Sequence, residues 1–173
     1  MRRFEEAIAA YEQATAICRE VGDRHGEGQT LNNLGNALQE VRRFEEAITA
    51  HQQATAIYRE MGDRRGEGMA LTNLGLALRQ VRRFREAIAA HEQDLAIRRE
   101  VGDRHGEGDA LTNLGAAFRQ VRRFEEAITA HQQAAVIYRE MGDRHGEGDA
   151  LTNLGAAFRQ VRRFEEAITA HQQ

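Results

Sequence analysis

The fold of this chain is decided by the stretch Leu111-Thr112-Asn113-Leu114-Gly115 and by Phe124-Glu125-Glu126-Ala127-Ile128, which follows it. The same pattern recurs at 31–48, 71–88 and 151–168. Its period is 40 residues, as shown by the spacing of Phe4, Phe44, Phe84, Phe124 and Phe164. A fixed period of this size indicates a stack of one supersecondary unit repeated along the chain.

The composition predicts helices and limits the class of protein. The chain has 173 residues, of which 41% are hydrophobic and 29% charged, and it contains no proline. Ala, Glu, Gln, Arg and Leu are abundant, and these residues favour helices. The formal net charge of −3 lacks the basic excess that binding to phosphates requires. The sequence therefore indicates no nucleic-acid partner.

Cysteine usage and hydropathy predict where the protein works. Cys18 is the one cysteine, so no intramolecular disulfide can form, which fits a reducing compartment. No apolar run approaches the roughly 20 residues of a membrane span, and no signal-peptide core is visible. These features predict a soluble, cytoplasmic protein with no membrane partner.

The spacing of apolar residues predicts the helices. In residues 2–21 the apolar side chains recur every three or four positions, which places them on one face of a helix. The same pattern predicts helices over 24–40, 44–60, 64–80, 84–100, 104–120, 124–140 and 144–160, with a short last piece at about 164–173. The predicted fold is therefore all-α, with about nine helices, and the short connectors make neighbouring helices antiparallel.

Two kinds of glycine recur with the period. Gly22 follows a helix end, where the left-handed backbone favours glycine, and Asp23 can cap the helix that comes next. Gly35 lies inside an apolar stripe, where a glycine costs about 1 kcal/mol relative to alanine. It recurs as Gly75, Gly115 and Gly155. We expect a closely approaching neighbouring helix to offset this cost.

The repeat divides the chain into units. Residues 1–23 form the second helix of a partial unit, 24–63, 64–103 and 104–143 are complete units, and 144–173 is a truncated unit. We therefore expect a single solenoid over 1–173 that is a section of a longer array. Residues 102–133 and 142–173 are identical, so the repeats are either recently duplicated or deliberately idealised.

Leu31-x2-Leu34-Gly35-x2-Leu38, followed by Ala47-x3-His51, resembles the tetratricopeptide repeat. That family's pattern has a Leu-Gly pair flanked by large apolar residues, and then Ala-x3-Phe. The resemblance covers essentially the whole chain and repeats in register. It implies a right-handed α-α superhelix of antiparallel helix pairs, in which first helices line a concave groove and second helices form the outside. It also implies a protein- or peptide-binding scaffold without catalytic activity.

Three departures from the family pattern occur. The period is 40 rather than 34 residues. The longer unit resembles the repeats of Pins/LGN-type polarity adaptors, of kinesin light chain-like proteins and of arrays attached to bacterial signalling ATPases and regulators. The family's terminal proline is absent, and its Phe is replaced by His51, His91, His131 and His171. The histidines predict a core that is more polar than usual.

A column of asparagines is the most informative feature for function. Residues spaced i, i+4, i+7 and i+11 share one side of a helix, and here they are Asp109, Asn113, Ala116 and Gln120. Asn113 has counterparts in Asn33, Asn73 and Asn153. An asparagine offers an acceptor and two donors to an extended peptide backbone, with about 1 kcal/mol net for each bond. The column resembles the asparagine ladder of peptide-binding tetratricopeptide arrays. The alternative is that each Asn pairs locally within its own helix pair.

Charged residues flank this column. Arg79, Arg119 and Arg159 lie nearer the helix C-terminus, where they either receive carboxylates of an acidic peptide or interact with the helix end and water. Asp109 and Asp149 favour a basic ligand residue at the far rim. The predicted peptide-binding residues are Asn33, Asn73, Asn113, Asn153, Arg79, Arg119, Arg159, Asp109, Asp149, Asn36 and Gln120.

No residue pattern indicates catalysis. His51 and its copies lie on successive units about 8–10 Å apart, which one ion about 2 Å from each ligand cannot bridge. We expect these histidines to be packed and hydrogen-bonded. Gly26-x-Gly28 has neither the preceding strand nor the following lysine of a phosphate loop. We expect no enzyme activity, no metal and no cofactor.

One unit differs from the others in a coupled way. Asp94 stands where the other units have alanine, and Arg98 stands where they have Cys18 or a tyrosine. An aspartate followed by an arginine four residues later forms a helical ion pair worth about 0.3–0.5 kcal/mol. The pattern predicts a local salt bridge on a partly exposed face, with a specialised contact site as the alternative.

The last repeat carries the apolar residues of the interior repeats without a following unit. Solenoids need polar capping units at their ends. We expect end-to-end association, or instability, because cover is incomplete for Leu151, Leu154, Phe158, Phe164 and Ile168.

Three functions agree with these residues. The leading hypothesis is a non-catalytic scaffold that binds an extended peptide along the asparagine column. The second is a sensory or regulatory array of a larger bacterial signalling protein, in which binding controls an attached ATPase or DNA-binding domain. The third is a structural or designed repeat that has no ligand and self-associates.

Overall fold

The computed structural model describes the backbone of residues 2–171 and the side chains of residues 3–161. This part of the chain contains eight α-helices and no strand, which confirms the predicted all-α fold class. The first seven helices begin and end within one residue of their predicted bounds. They are α1 (Arg2–Val21), α2 (Arg24–Glu40), α3 (Phe44–Met61), α4 (Arg64–Gln80), α5 (Phe84–Glu100), α6 (Arg104–Gln120) and α7 (Phe124–Met141), and α8 (Arg144–His171) follows.

The helices belong to two compact units. The N-terminal unit, Met1–Val101, contains α1 to α5, and the C-terminal unit, Gly102–Gln173, contains α6 to α8. Within each unit every helix packs against the next one, and successive first helices touch as well, α2 with α4 and α6 with α8. The predicted single solenoid over 1–173 stays a prediction.

The turn before each first helix is set by a capping aspartate. Asp63 accepts a hydrogen bond from the backbone N–H of Gly66 at 2.9 Å, and Asp23 and Asp103 do the same for α2 and α6. Such a cap contributes about 1 kcal/mol. Gly62, which closes α3, has φ of 72°, a backbone conformation that glycine adopts without strain. The repeated Gly-Asp pair therefore ends one helix and begins the next.

Small residues let the helices approach closely. Ala47, Ala54, Ala70 and Ala77 are completely buried. In the N-terminal unit one apolar cluster joins α3, α4 and α5 through Ile48, Leu71, Leu74, Ala77, Leu78, Ala87, Ala90 and Ile97. The core thus lies between first and second helices.

In three of the repeats the glycine inside the apolar stripe, Gly35, Gly75 or Gly115, receives a histidine ring from the following helix. A Cβ atom added to Gly75 would lie 2.3 Å from Cε1 of His91, and one added to Gly35 would lie 2.4 Å from Cε1 of His51. The close approach expected at these glycines is therefore made by an imidazole. An alanine at the same position would have no room.

A buried glutamate joins the end of each second helix to the start of the next first helix. Glu67 is 2% exposed and accepts from Nε of Arg59 at 2.7 Å and from Nη1 of Arg64 at 2.5 Å. Arg64 also pairs with Glu100 of α5. Burial raises the pKa of the equivalent Glu27, but hydrogen bonds from two arginines outweigh it and lower that pKa overall. The Glu27 carboxylate is therefore ionised, and its copies Glu67 and Glu147 are paired with arginines in the same way.

The last connector differs from the others. At the interior connectors Arg42, Arg82 and Arg122 have φ between 62° and 64°, which reverses the chain. No such residue occurs near 162, and α8 continues to His171, so eight helices replace nine. A left-handed arginine costs about 1–2 kcal/mol. Packing of the 17 or 18 helical residues that follow offsets that cost at the interior connectors.

Apolar side chains of α8 are exposed where their interior copies are buried. Leu151 is 44% exposed and Phe158 46%, whereas Leu111 is 2% and Phe118 6% exposed. Leu154 is half-buried. The side chains of Phe164 and Ile168 lie outside the described residues. The incomplete cover predicted for the last repeat is confirmed for the described residues.

The coupled pair in α5 consists of a buried aspartate and a partly exposed arginine. Asp94 is 1% exposed and accepts from Nε of Arg98 at 2.9 Å and from the Thr72 hydroxyl at 2.6 Å. The predicted ion pair is confirmed; the predicted partly exposed face is correct for Arg98 and wrong for Asp94. The physical reason is that Gly68 leaves space for the pair, as Gly28 does for the ring of Tyr58 in the preceding repeat.

Candidate functional site

The predicted peptide-binding residues lie on first helices, and we name this surface the first-helix face. In the N-terminal unit its asparagine column consists of Asn33 on α2 and Asn73 on α4, both half-buried. In the C-terminal unit the column consists of Asn113 on α6 and Asn153 on α8, which are also half-buried. Half-burial places an amide where it can be positioned by the protein and still be reached from outside.

Asn73 is held by a network that ends at a buried histidine. Its Nδ2 donates to Oδ1 of Asn32 at 3.1 Å. Nδ1 of His51 also lies 3.1 Å from that oxygen, and Nε2 of His51 lies 3.0 Å from Nε2 of Gln39. Since a carbonyl oxygen only accepts, Nδ1 carries the proton and Nε2 accepts from the Gln39 amide. In the part of the chain that the structure describes, the second N–H and the oxygen of Asn73 have no partner and are available to a ligand.

The other two described copies of His51 have no such partners. His91 and His131 are fully buried, and neither ring nitrogen of either side chain has a hydrogen-bond partner in the described part of the chain. The prediction that these histidines are hydrogen-bonded is thus correct for His51 and wrong for His91 and His131. The reason is local, because Thr72 and Arg79 replace Asn32 and Gln39 in the repeat of His91.

Burial keeps these imidazoles neutral. Desolvation lowers the pKa of His51, His91 and His131 to about 4. The positive charges of Arg79 and Arg119 lower it further at His91 and His131 respectively. The three rings are therefore uncharged packing groups at neutral pH.

In the C-terminal unit the column is contacted by an arginine of the same face. Nη1 of Arg119 lies 3.5 Å from Oδ1 of Asn153, so the guanidinium of one repeat points to the amide of the next. Arg119 is half-buried, whereas Arg159 is exposed. The structure thus brings together an arginine and an asparagine that the sequence predicts to share a surface.

Asp109 is engaged by the second helix of its own repeat. The hydroxyl of Tyr138 donates to Oδ1 of Asp109 at 2.6 Å, and Nδ1 of His105 lies 3.3 Å from Oδ2. Burial and the Asp109 carboxylate raise the pKa of Tyr138, so the phenol remains a donor. His105 also lies 3.4 Å from Asp143. Asp109 therefore belongs to a polar cluster at the N-terminal rim of α6.

The remaining predicted residues are accessible. Those that are exposed are Asn36, Gln120 and Asp149, while Arg79 is half-buried. Sequence reasoning missed Asn32, Gln39 and Tyr138, which position the predicted residues. The sequence does single out Asn32, because this residue departs from the repeat: the other repeats have threonine at the same position.

A groove of about 330 Å³ lies away from this face. It runs between α3 and α5, over Leu71, Leu74 and Leu78 of α4. Its rims include Arg59 and Gln93, which are joined by a hydrogen bond of 3.1 Å. None of the predicted peptide-binding residues lines it.

Among the described residues no three His, Cys, Asp or Glu side chains are arranged to hold a metal ion. None of the helices in that part of the chain has the length and apolar character to span a membrane. The polar groups of the first-helix face offer hydrogen bonds and charge, which suits recognition.

These helix pairs and their amide-lined face define a helical-repeat scaffold. The sequence pattern of the tetratricopeptide repeat family matches residues 1–60, 66–140 and 109–173. The chain belongs to the tetratricopeptide repeat family, as its sequence predicts. Members of this family are generally non-catalytic protein-binding scaffolds, so protein binding is the class of function that the fold indicates. No curated protein matches the sequence.

Solved structures share the fold at low sequence identity. BtubC (BKLC) from P. vanneervenii is 18% identical with a TM-score of 0.77, covering 98% of this chain and 71% of that chain. A putative kinesin light chain from Podosopora anserina with nearly identical TPR-like repeats is 18% identical with a TM-score of 0.79, covering 98% and 84%. A Rap protein complexed with competence and sporulation factor is 18% identical with a TM-score of 0.74, covering 99% and 48%. The chain thus spans about half the length of the Rap protein.

Proposed function

We propose that the chain is a non-catalytic scaffold that binds an extended peptide segment along its first-helix face. The observation that carries this proposal is the positioning of Asn73. Its amide is fixed by Asn32 and the His51 network, yet it is half-buried and keeps donor and acceptor capacity free. An amide fixed in advance loses little side-chain entropy on binding.

The chemistry of the column suits a peptide backbone. Each asparagine can accept from a backbone N–H and donate to a backbone carbonyl. A single such bond contributes about 1 kcal/mol net, so useful affinity needs several repeats to act together. Each unit carries two such asparagines, Asn33 and Asn73 in the N-terminal unit and Asn113 and Asn153 in the C-terminal unit.

Charges around the column give the peptide a preferred composition. Arg79, Arg119 and Arg159 favour carboxylates toward the C-terminal ends of the first helices. Asp149, which is exposed, favours a basic residue at the other rim. A solved Rap protein of the same fold is complexed with competence and sporulation factor, which supports a bound factor as the kind of partner for this fold.

Replacing both Asn33 and Asn73 of the N-terminal unit by alanine tests this function. We expect the dissociation constant of a peptide selected from a library to rise about ten- to thirtyfold, because two amides are lost at about 1 kcal/mol each. Isothermal titration calorimetry with wild type and variant measures the change. The matched control is Gln52→Ala with Gln132→Ala, which removes two exposed amides from second helices. Equal loss in both double variants, or no loss in the first, refutes the proposed face.

We also propose that the open end of α8 mediates self-association. Leu151 and Phe158 expose surface that their copies Leu111 and Phe118 bury. Burial of such surface is favourable by about 25 cal/mol per Å². Light scattering of this chain should give a mass that rises with concentration, and Leu151→Glu with Phe158→Glu should abolish the rise. A constant monomer mass at high concentration excludes this association.

A further inference from the structure

The connector between each first helix and its second helix contains an arginine in an unfavourable backbone conformation. Arg42 has φ of 63° and Arg82 has φ of 62°. For a residue with a side chain this left-handed conformation costs about 1–2 kcal/mol. Helix ends of this kind usually carry glycine. These two arginines of the N-terminal unit therefore lower its stability where glycine would not.

The chain itself uses glycine at its other turns. Gly22, Gly62, Gly102 and Gly142, which follow the second helices, have φ between 69° and 74°. The left-handed residue is thus a glycine after each second helix and an arginine after the first helices α2, α4 and α6. Since the backbone geometry does not require arginine, its side chain must supply something that offsets the strain.

The side chains of Arg42 and Arg82 are not bound by other described side chains of the N-terminal unit. Arg42 and Arg82 are exposed, and no ion pair or side-chain hydrogen bond of either is found in the described part of the chain. The arginine that follows in the sequence does form an ion pair in each repeat: Arg43 pairs with Glu46, and Arg83 pairs with Glu86. The guanidinium groups at 42 and 82 therefore stand in solvent beside cations that are already neutralised.

A third cation extends this row on α5. Arg85 is exposed and stands where the other repeats have Glu5, Glu45 and Glu125. Glu45 accepts from Nη1 of Arg83 in the next repeat at 3.3 Å, which shows that successive connectors lie side by side. The residue before each connector is Glu40 in one repeat and Gln80 in the next, so no constant acidic companion accompanies the arginines.

We propose that Arg42, Arg82 and Arg85, which we name the connector edge, form a second interaction surface for an acidic peptide segment of a partner protein. A guanidinium binds a carboxylate through two parallel hydrogen bonds, which lysine cannot do. This surface is distinct from the first-helix face and involves none of its residues.

The repeat geometry sets the spacing of the acidic residues. Packed helices lie about 8–10 Å apart, so successive connectors present cations at about this interval. An extended chain rises about 3.3 Å per residue. Carboxylates three residues apart therefore match Arg42 and Arg82, whereas adjacent carboxylates do not.

Arg42→Gly with Arg82→Gly tests the connector edge without endangering the fold. Glycine relieves the strained conformation, so the melting temperature is expected to rise. The probe is a fluorescein-labelled 12-residue peptide with glutamate at every third position and serine elsewhere, measured by anisotropy at low salt. We expect the double variant to bind it about five- to tenfold more weakly than wild type, because two charge-assisted contacts are lost.

Controls separate the connector edge from general charge and from the first-helix face. Arg65→Gln removes an exposed arginine at the opposite turns and should leave the affinity nearly unchanged. Asn73→Ala should also leave it unchanged, so failure here and failure of the first-helix face are distinguishable. A probe with its four glutamates adjacent should bind more weakly than the spaced probe. Equal affinity of wild type and double variant, or preference of the edge for phosphatidylserine vesicles over the peptide, overturns the proposal.

Discussion

Lowering the pH from 7 to 5 is expected to reduce the free energy of unfolding by about 5 kcal/mol through three buried histidines. His51, His91 and His131 are fully buried, and desolvation lowers their pKa to about 4 in the folded protein. In the unfolded chain the same side chains titrate near 6.5. Between pH 6.5 and pH 4 the histidines are therefore protonated in the unfolded state and neutral in the folded state.

The direction of this effect follows from proton binding. A folded-state pKa below the unfolded value means that the stabilisation is complete above about pH 6.5 and is lost as the pH falls toward 4. The contribution of each histidine to the free energy of unfolding then falls by about 2 kcal/mol between pH 7 and pH 5. Paired carboxylates such as Glu27 also have a lowered pKa, but their contribution is lost only below their usual value near 4.5. The interval from pH 7 to 5 therefore isolates the histidines.

Urea unfolding followed by circular dichroism at pH 7, 6 and 5 measures this slope. Methionine at positions 91 and 131 serves as the control, because it is apolar, unbranched and fills irregular space. The double variant should lose about two thirds of the pH dependence. An unchanged slope would show that other groups titrate, and the interpretation of the buried rings would be wrong.

The three histidines also differ at neutral pH. Neither ring nitrogen of His91 has a partner among the described residues, so His91→Met removes a desolvation cost and should leave stability equal or higher. His51 is bonded to Asn32 and Gln39, so His51→Met leaves those two amides without their partner and should lower stability. The same substitution thus has opposite expected effects in two repeats of one chain.

The fold was predictable because several independent sequence features indicate the same helix boundaries. Apolar spacing, glycine turns and capping aspartates recur every 40 residues, and they fix seven helices to within one residue. The end of α8 was not predictable from the repeat, since the local sequence at 161–163 is the same as at 121–123. Local sequence alone therefore cannot distinguish these two positions.

The candidate site was predictable in its members but not in its connections. Spacing places Asn73 and Arg119 on the side of a helix, but it cannot show that Asn73 bonds to Asn32 or that Asp109 is engaged by Tyr138. Those bonds depend on side-chain reach between helices. Burial of Asp94 was also missed, because it depends on space left by Gly68 on another helix.

Gly75→Ala is expected to destabilise the protein by about 2 kcal/mol. The added Cβ would lie 2.3, 2.6 and 2.7 Å from three ring atoms of His91, closer than real contacts allow. His91 is 0% exposed, so its ring cannot swing into solvent. Overpacking of this kind costs about 3 kcal/mol, and the better helix propensity of alanine returns about 1 kcal/mol. Urea denaturation at pH 7 measures the difference.

Gly155→Ala is the matched control, because Gly155 occupies the same position in the last first helix. Among the described side chains, a Cβ there would meet nothing within 4 Å, and the residue is exposed. Alanine should therefore stabilise α8 by up to about 1 kcal/mol. The same glycine-to-alanine substitution is thus expected to lower the free energy of unfolding at position 75 and to raise it at position 155. Helix propensity alone cannot produce that result.

A double-mutant cycle assigns the clash at Gly75 to the ring. His91→Ala alone should destabilise by leaving a cavity beside Gly75. In Gly75→Ala with His91→Ala, the new methyl group occupies part of that space, so the two losses should be far from additive, with a coupling of about 2 kcal/mol. Additive losses would mean that the strain at residue 75 lies in the helix backbone and not against the histidine. Coupling would identify the glycine–imidazole contact as the element that sets how closely the two helices of a repeat can pack.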